Sequence, residues 1–455
     1  MADSGWVDLE RVWALQARED QRFAAERPRS TELLERARAS MPSGVPNAWF
    51  RTNYDHPPIF VTEAKGSRFT DADDHEYVDF FIGICSAFCG HAPEAIAEAV
   101  ARQARRGLNL QLPIEDAIWV AEELSRRFAP LRWQFALTAS QAILDCIRLA
   151  RATTGREQIL KFDANYHGHL DATMLVVEGG AIAPEYQGQD LASMRSTKVI
   201  PFNDPGALEE TLTQRDVAVA IAEPAMTNVG FITPEPGYHE ILRRVTRETG
   251  TLLLIDETQT LLCGHGGLTR EYGLEPDLLV LGKSIAGGVP FAAYGMNERL
   301  AERVEAPHAH YEVAGEAVDE IALGGTMWAN ALTIAAARAA LEEVLTEEAY
   351  ARTVVLGGLL ADGLEAAIDG AGLSWAVQRL FTRAAYVTSP IPPTNGAEAR
   401  AADIAGFKDA QRVFMANRGI WDAGWWMGPS LSLAHTADDV ERYLEVFGEF
   451  LSAIR

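Results

Sequence analysis

Lysine is scarce in this chain. Of its 40 basic residues only five are lysine, namely Lys65, Lys161, Lys198, Lys283 and Lys408. Any chemistry that needs a primary amine therefore has five candidates. Positive charge as a whole is short: 64 acidic residues leave a net charge of −24. Such a chain does not grip nucleic acid or anionic lipid non-specifically, and no nucleic-acid or membrane partner is expected. Cysteine is limited to Cys85, Cys89, Cys146 and Cys263. Their spacing suggests no disulfide framework, and Cys85 and Cys89 lack a second pair of metal ligands, so reduced thiols in a cytoplasm are expected. No apolar run approaches the ~20 residues that span a bilayer. The first 29 residues are charged throughout, with no apolar stretch of the kind a signal peptide needs, so none is predicted. Internal repeats, low-complexity tracts and long linkers are also missing.

What is present is ample core material. The 455 residues are 48% hydrophobic, 9% aromatic and 23% charged, which excludes a mostly disordered chain. Two charged helical patterns, Leu9–Glu26 and Ser30–Ala39, lead to a turn-rich segment, Met41–Asn47, and then to Trp49-Phe50-Arg51. Ile59–Glu63, Arg68–Asp71 and Glu76–Phe80 read as a small antiparallel meander. Helices are predicted at Pro93–Arg106 and Ile114–Phe128. From Gln134 to Met296 short apolar runs alternate with helical patterns. Ile159–Phe162, Val217–Ala222, Leu252–Ile255 and Leu278–Leu281 suit strands buried on both faces of a mostly parallel sheet. Helical patterns at Gln141–Arg151 and Tyr238–Glu248 lie between them. A long helix is predicted over Asn330–Leu345, and the remainder alternates helices and short strands.

Three of the strands end in chemistry. Val217–Ala222 runs into Glu223-Pro224, Leu252–Ile255 into Asp256-Glu257, and Leu278–Leu281 into Gly282-Lys283. Ligands of open α/β sheets lie beyond the carboxyl ends of the strands. A lysine in a partly dry crevice can act as a carbonyl nucleophile. An aspartate beside it can pair with a cationic ring nitrogen, which is what pyridoxal phosphate needs as an electron sink. Thr138-Ala139-Ser140-Gln141 opens a helix with capping-box spacing, and its free amides make an anion site. Tyr166, in Asn165-Tyr166-His167-Gly168-His169, offers an aromatic face to a planar group. His167 and His169 have no cysteine or carboxylate at a familiar ligand spacing, so no metal is expected.

In combination these residues resemble a known family. Tyr166-His167-Gly168, Glu223-Pro224, Asp256-Glu257-Thr258-Gln259-Thr260, Gly282-Lys283 before Gly287-Gly288, and Gly325-Thr326 are similar to the motifs of class III, fold-type I pyridoxal-phosphate aminotransferases. The nearest branch contains glutamate-1-semialdehyde aminomutase and β-amino-acid aminotransferases. The resemblance covers roughly Met41 to Phe450. It implies an α/β fold: a large domain with a seven-stranded, mostly parallel sheet, and a small α/β domain formed by both chain ends. The expected boundaries are 1–91 (part of the small domain), 92–345 (cofactor domain) and 346–455 (C-terminal small domain).

The resemblance also implies roles. Lys283 forms the internal aldimine and shuttles a proton, and Asp256 holds the pyridine nitrogen protonated. Tyr166 stacks on one ring face and Thr258 packs on the other. Gln259 and Glu223 face the ring hydroxyl, the amides of Ala139 and Ser140 bind the phosphate, and Thr326 of a second subunit completes that cup in a homodimer. The family usually has Ser-Gly-Thr-Glu where this chain has Thr138-Ala139-Ser140-Gln141, so the loop must avoid a positive φ at Ala139. For the substrate, Arg51 is expected to clamp a carboxylate, with Trp49, Trp425 and Trp426 lining an apolar pocket. The expected activity is an aminotransferase acting between an amino acid, of β-amino or aromatic or hydrophobic kind, and an oxo acid. The alternative is a 1,2-aminomutase or racemase on the same scaffold. Lys283, Asp256 and the phosphate cup serve all three.

Overall fold

The apolar runs owe their character to burial on both sides. In the computed structural model, which describes residues 7–51, 56–306, 311–313, 316–318, 321–404, 406–422 and 427–455, they form the middle of one seven-stranded sheet. Its strands are β1 (Arg132–Ala136), β2 (Gln158–Phe162), β3 (Thr197–Ile200), β4 (Val217–Ala222), β5 (Leu252–Asp256), β6 (Leu278–Leu281) and β7 (Ala292–Met296). They are ordered β1-β7-β6-β5-β4-β2-β3. β7 is antiparallel to both β6 and β1, and the other pairings are parallel. Every residue of β4, β5, β6 and β7 is buried, which is why these strands read as continuous apolar runs rather than alternating ones.

Two units divide the chain. One comprises Met1–Pro93, Glu348–Pro392 and Ala399–Arg455; the other comprises Glu94–Glu347 with Pro393–Glu398 and holds the large sheet. In the first, the meander is Val61–Lys65, Arg68–Asp71 and Glu76–Asp79, and Ile420–Trp421 adds a parallel fourth strand. Its aromatic core includes Phe23, Phe69, Tyr77 and Trp421. The buried Arg27 lies 3.7 Å over the Phe23 ring and donates to the Tyr77 hydroxyl at 2.8 Å. That hydroxyl donates in turn to Asp71 at 2.7 Å, so the buried cation is compensated rather than stranded. A larger core gathers Leu360, Leu364, Phe407, Tyr443, Phe447 and Phe450.

In the second unit the core lies between the sheet and the helix Ala139–Thr154, with Ile143, Ile147, Val219, Leu254 and Val280 buried together. The helix expected over Asn330–Leu345 differs in its last third. Asn330 caps it, its side chain accepting from the Thr333 amide at 3.1 Å. The α-helix runs over Ala331–Ala339 and then widens to a π turn over Ala340–Val344. The buried Arg127 donates to the Leu345 carbonyl at 2.6 Å and also to that of Leu341. The guanidinium thus satisfies carbonyls left without intrahelical partners where the turn widens.

Candidate active site

The sheet register brings three side chains to one edge. Ala222 pairs with Ile255, so Glu223 leaves β4 level with Asp256 at the end of β5. Asp256 pairs with Val280, so β6 carries on past that level and delivers Lys283, two residues beyond its end at Leu281, to the same edge. Lys161 pairs with Ile221, which brings the loop carrying Asn165, Tyr166 and His167 off β2 at the same level. β1 ends at this edge too and runs through Thr138 into the helix Ala139–Thr154. Gly282 shows how closely these loops meet: a Cβ there would lie 3.0 Å from the Ala139 Cβ and 3.2 Å from the Thr258 Cγ2.

Of the five lysines only Lys283 stands at this edge. Lys161 is buried in β2 and donates to the Leu175 carbonyl at 2.9 Å, and Lys198 pairs with Asp216 at 2.7 Å. Lys65 and Lys408 belong to the other unit. Lys283 also has φ +51°, in the left-handed region that a side chain disfavours. Strain held at one residue of a strand-end turn is characteristic of functional positions. Gly287 follows with φ +63°, where any side chain would be strained, and a Cβ there would also come within 2.2 Å of Ile96 Cδ1.

Asp256 is 4% exposed. His167 Nδ1 lies 2.9 Å from one carboxylate oxygen, and the Thr258 amide donates to the other at 3.0 Å. Burial alone pushes the Asp256 carboxyl up, but the bonds from His167 and Thr258 outweigh it and hold the group below its ordinary value. Burial drives the His167 pKa down. The pair is therefore a neutral imidazole donating Nδ1–H to a carboxylate, a tautomer assigned from that bond. Each carboxylate oxygen keeps a further lone pair for a ring N–H. The sequence reading weighed His167 as a metal ligand and missed this role; its adjacency to Tyr166 was the available signal.

Glu223 is similarly tethered. Asn165 Nδ2 donates to it at 2.6 Å, and the Thr227 hydroxyl donates to its second oxygen. Gln259 donates to Asn228 Oδ1 at 3.0 Å. The sequence analysis gave Asn165 no role of its own within its motif and did not point to Thr227.

At the helix start, the Thr138 hydroxyl accepts from the Gln141 amide at 3.3 Å. The return bond of a full capping box is missing, because Gln141 Oε1 is buried without a partner. The first-turn amides of Ala139 and Ser140 have no intrahelical acceptor, as at any helix start. Ala139 lies in the helix rather than at a positive φ, as its side chain requires. Gly168 (φ +90°) passes so close that a Cβ would lie 2.4 Å from Ser140 Oγ, and that hydroxyl accepts from the His169 amide at 2.9 Å. Tyr166 keeps 42% of its surface exposed at this edge. A planar, phosphorylated, ring-protonated group fits these residues: an exposed tyrosine, an anionic Asp256 and the first-turn amides of a helix.

Arg51 and Trp49 belong to the other unit. Arg51 Nη1 donates to the His56 carbonyl at 2.8 Å, and Trp49 is exposed. Trp425 and Trp426 lie outside the described residues. Thr326 sits in an exposed turn, its carbonyl accepting from Asn109 Nδ2 at 3.0 Å.

Glu257, beside Asp256, is fully buried. It accepts from the Thr260 hydroxyl at 2.5 Å and from the Thr269 amide, which pins the chain that follows Gln259. Burial raises its pKa to about 7 from 4.5. Across that interval the folded chain holds a proton the unfolded chain releases, so stability falls as pH rises through it. Glu257→Gln removes the ionisation. Relative to native, the variant is expected to gain up to about 3 kcal/mol between pH 4.5 and 8, measured by denaturant unfolding at several pH values. A pH-independent difference would refute the assignment.

Comparison with known proteins agrees. The model of the family "Aminotransferase class-III" matches residues 49–371. Glutamate-1-semialdehyde 2,1-aminomutase of Sorangium cellulosum is 34% identical over 436 residues, covering 94% of this chain and 97% of that protein. Among solved structures, a lysine-to-alanine variant of a glutamate-1-semialdehyde aminomutase from Pseudomonas aeruginosa PAO1, in complex with PMP, superimposes with TM-score 0.93. It is 38% identical and covers 99% of this chain and 100% of its own. An omega-transaminase from Sphaerobacter thermophilus follows with TM-score 0.84 and 29% identity, covering 94% and 98%. The fold is that of the fold-type I pyridoxal-phosphate transferases. Within them the chain belongs to the class-III aminotransferase family, and pyridoxal 5′-phosphate is its cofactor.

Proposed function

We propose that this enzyme is a 1,2-aminomutase, moving an amino group between adjacent carbons of a small amino-oxo acid. The observation that carries the reading is the whole-length similarity to proteins named glutamate-1-semialdehyde aminomutase, at 34% and 38% identity. The site supports amino-group transfer of either kind. When bound, pyridoxal phosphate supplies an aldehyde that takes up amines and a ring that withdraws electrons from the bond being broken. Lys283 would hold that aldehyde, and its amine would carry a proton to and from the reacting carbon. Asp256, kept anionic by His167, holds the proton on the ring nitrogen. Glu223 and Gln259 orient the ring hydroxyl. Tyr166 and Thr258 face the ring, and the amides of Ala139 and Ser140 hold the phosphate. Arg51, with donors beyond the one bound to His56, is the proposed partner of a substrate carboxylate.

The enzyme is proposed to work as a homodimer with Thr326 lent to the neighbouring cofactor. Leu108, Leu110, Leu112 and Met327 are large apolar side chains left 48% to 71% exposed, and Asn109 ties their segment to Thr326. Apolar surface gathered in this way fits a subunit interface.

A second reading, transamination, is favoured by the omega-transaminase likeness. One assay separates them. Supplied with glutamate-1-semialdehyde alone, the holoenzyme is expected to turn over continuously and deliver product with the amino group on C1. Conversion that stalls at one equivalent per site until an oxo acid is added would replace the mutase by the transaminase.

A further inference from the structure

Asp145 is a costly residue where it stands. It lies inside the helix Ala139–Thr154, is 1% exposed, and burial raises its pKa. Neither helix propensity nor apolar packing favours an acid there. What it does is hold a loop. One carboxylate oxygen accepts from the Gly324 amide at 2.9 Å and from the Tyr294 hydroxyl at 3.1 Å. One turn further along the same helix, Arg148 Nη1 donates to the Ala322 carbonyl at 3.0 Å. Ile321 and Trp328, at the two ends of the loop, pack against the core around the sheet. Gly325 leaves no space for a side chain, because a Cβ would lie 2.7 Å from Trp328 Nε1. Between these anchors Gly324, Gly325, Thr326 and Met327 are exposed.

We infer that Asp145 is a positioning residue for the neighbouring subunit's cofactor site, fixing the loop that presents Thr326 across the dimer. The inference rests on the shared-site reading above. Its physical basis is that a backbone amide fixed two residues before Thr326 restricts the φ and ψ angles that decide where that residue points. The helix whose first turn holds a subunit's own phosphate thus also aims the loop that the subunit lends away.

The test uses cofactor affinity at Lys283, read as the borohydride-fixed Lys283 peptide against pyridoxal phosphate concentration. Asp145→Ala is expected to weaken binding about tenfold, the scale of a lost hydrogen bond to a charged group. Asp145→Asn keeps an acceptor for Gly324 and is expected to stay near native. Arg148→Ala, at a half-exposed side chain, is expected to weaken binding about threefold on the scale of an ordinary hydrogen bond, and it serves if Asp145→Ala does not fold. The decisive sample is a hybrid dimer in which one chain carries Asp145→Ala and the other Lys283→Ala. Its remaining Lys283 site receives Thr326 from the chain with intact Asp145, so native affinity is expected. A hybrid as weak as the Asp145→Ala homodimer, or an Asp145→Ala homodimer (failing that, Arg148→Ala) with native affinity, overturns the inference. A parallel hybrid with Thr326→Ala in place of Asp145→Ala isolates the shared-site reading: if it too stays as weak as its homodimer, Thr326 acts within its own subunit and that reading fails.

Discussion

Lys283→Ala is expected to abolish covalent attachment of the cofactor and to lower turnover by about 10⁴-fold or more. A positioned acid–base group alone contributes up to about 10⁴, and Lys283 supplies the covalent link in addition. Binding of the cofactor itself should fall far less, because the helix amides and Asp256 remain in place. Borohydride reduction of the native protein followed by peptide mapping checks the assignment. Label on Lys65, Lys161, Lys198 or Lys408 in place of Lys283 sinks it. The backbone adds an independent expectation. Lys283 is held at φ +51°, so Lys283→Gly should stabilise the fold against denaturant by about 1 kcal/mol relative to Lys283→Ala, since glycine carries no left-handed penalty.

Asp256→Ala is expected to slow proton removal from the substrate by about 100- to 1,000-fold, the cost of removing one preorganised electrostatic partner, while cofactor affinity changes by about tenfold. The two effects differ because the charge matters most when electrons move into the ring. Single-turnover rates compared with cofactor titrations measure the split, and near-native rates in the variant would contradict the assignment. His167→Phe tests the support beneath it. Without the imidazole N–H, burial raises the Asp256 pKa. Activity depends on the ionised carboxylate, so the acid limb of the pH–rate profile should move to higher pH. An unmoved limb would show that His167 serves only packing.

Much of the cofactor site was legible in the sequence, for local reasons. β4 and β6 have the ends read from their apolar runs, and β5 extends one residue further, to Asp256. A strand buried on both faces has no polar residues to blur its ends. Glu223 follows β4 directly, Asp256 closes β5, and Lys283 stands two residues past β6, so finding the strands located the residues. The Thr138 cap was legible for the same reason: donor and acceptor lie three residues apart. Most helix ends moved by no more than three residues, as at Ala139–Thr154 against the predicted Gln141–Arg151, and the helix predicted to reach Leu345 leaves α geometry after Ala339. The first meander strand begins at Val61 rather than Ile59.

By itself, then, the sequence determined the α/β alternation, the strand ends and which lysine stands at one of them. Each is set by neighbours a few residues apart through backbone propensity and the period of burial. The tertiary structure decided the rest. His167 reaches Asp256 across 89 residues and Asn165 reaches Glu223 across 58. Arg127 takes the carbonyls of a helix end more than 200 residues away, and Asp145 holds Gly324 across 179. A hydrogen bond between such distant groups has no periodicity to read. It exists because buried polar atoms must find partners once the sheet and its helices have closed around them.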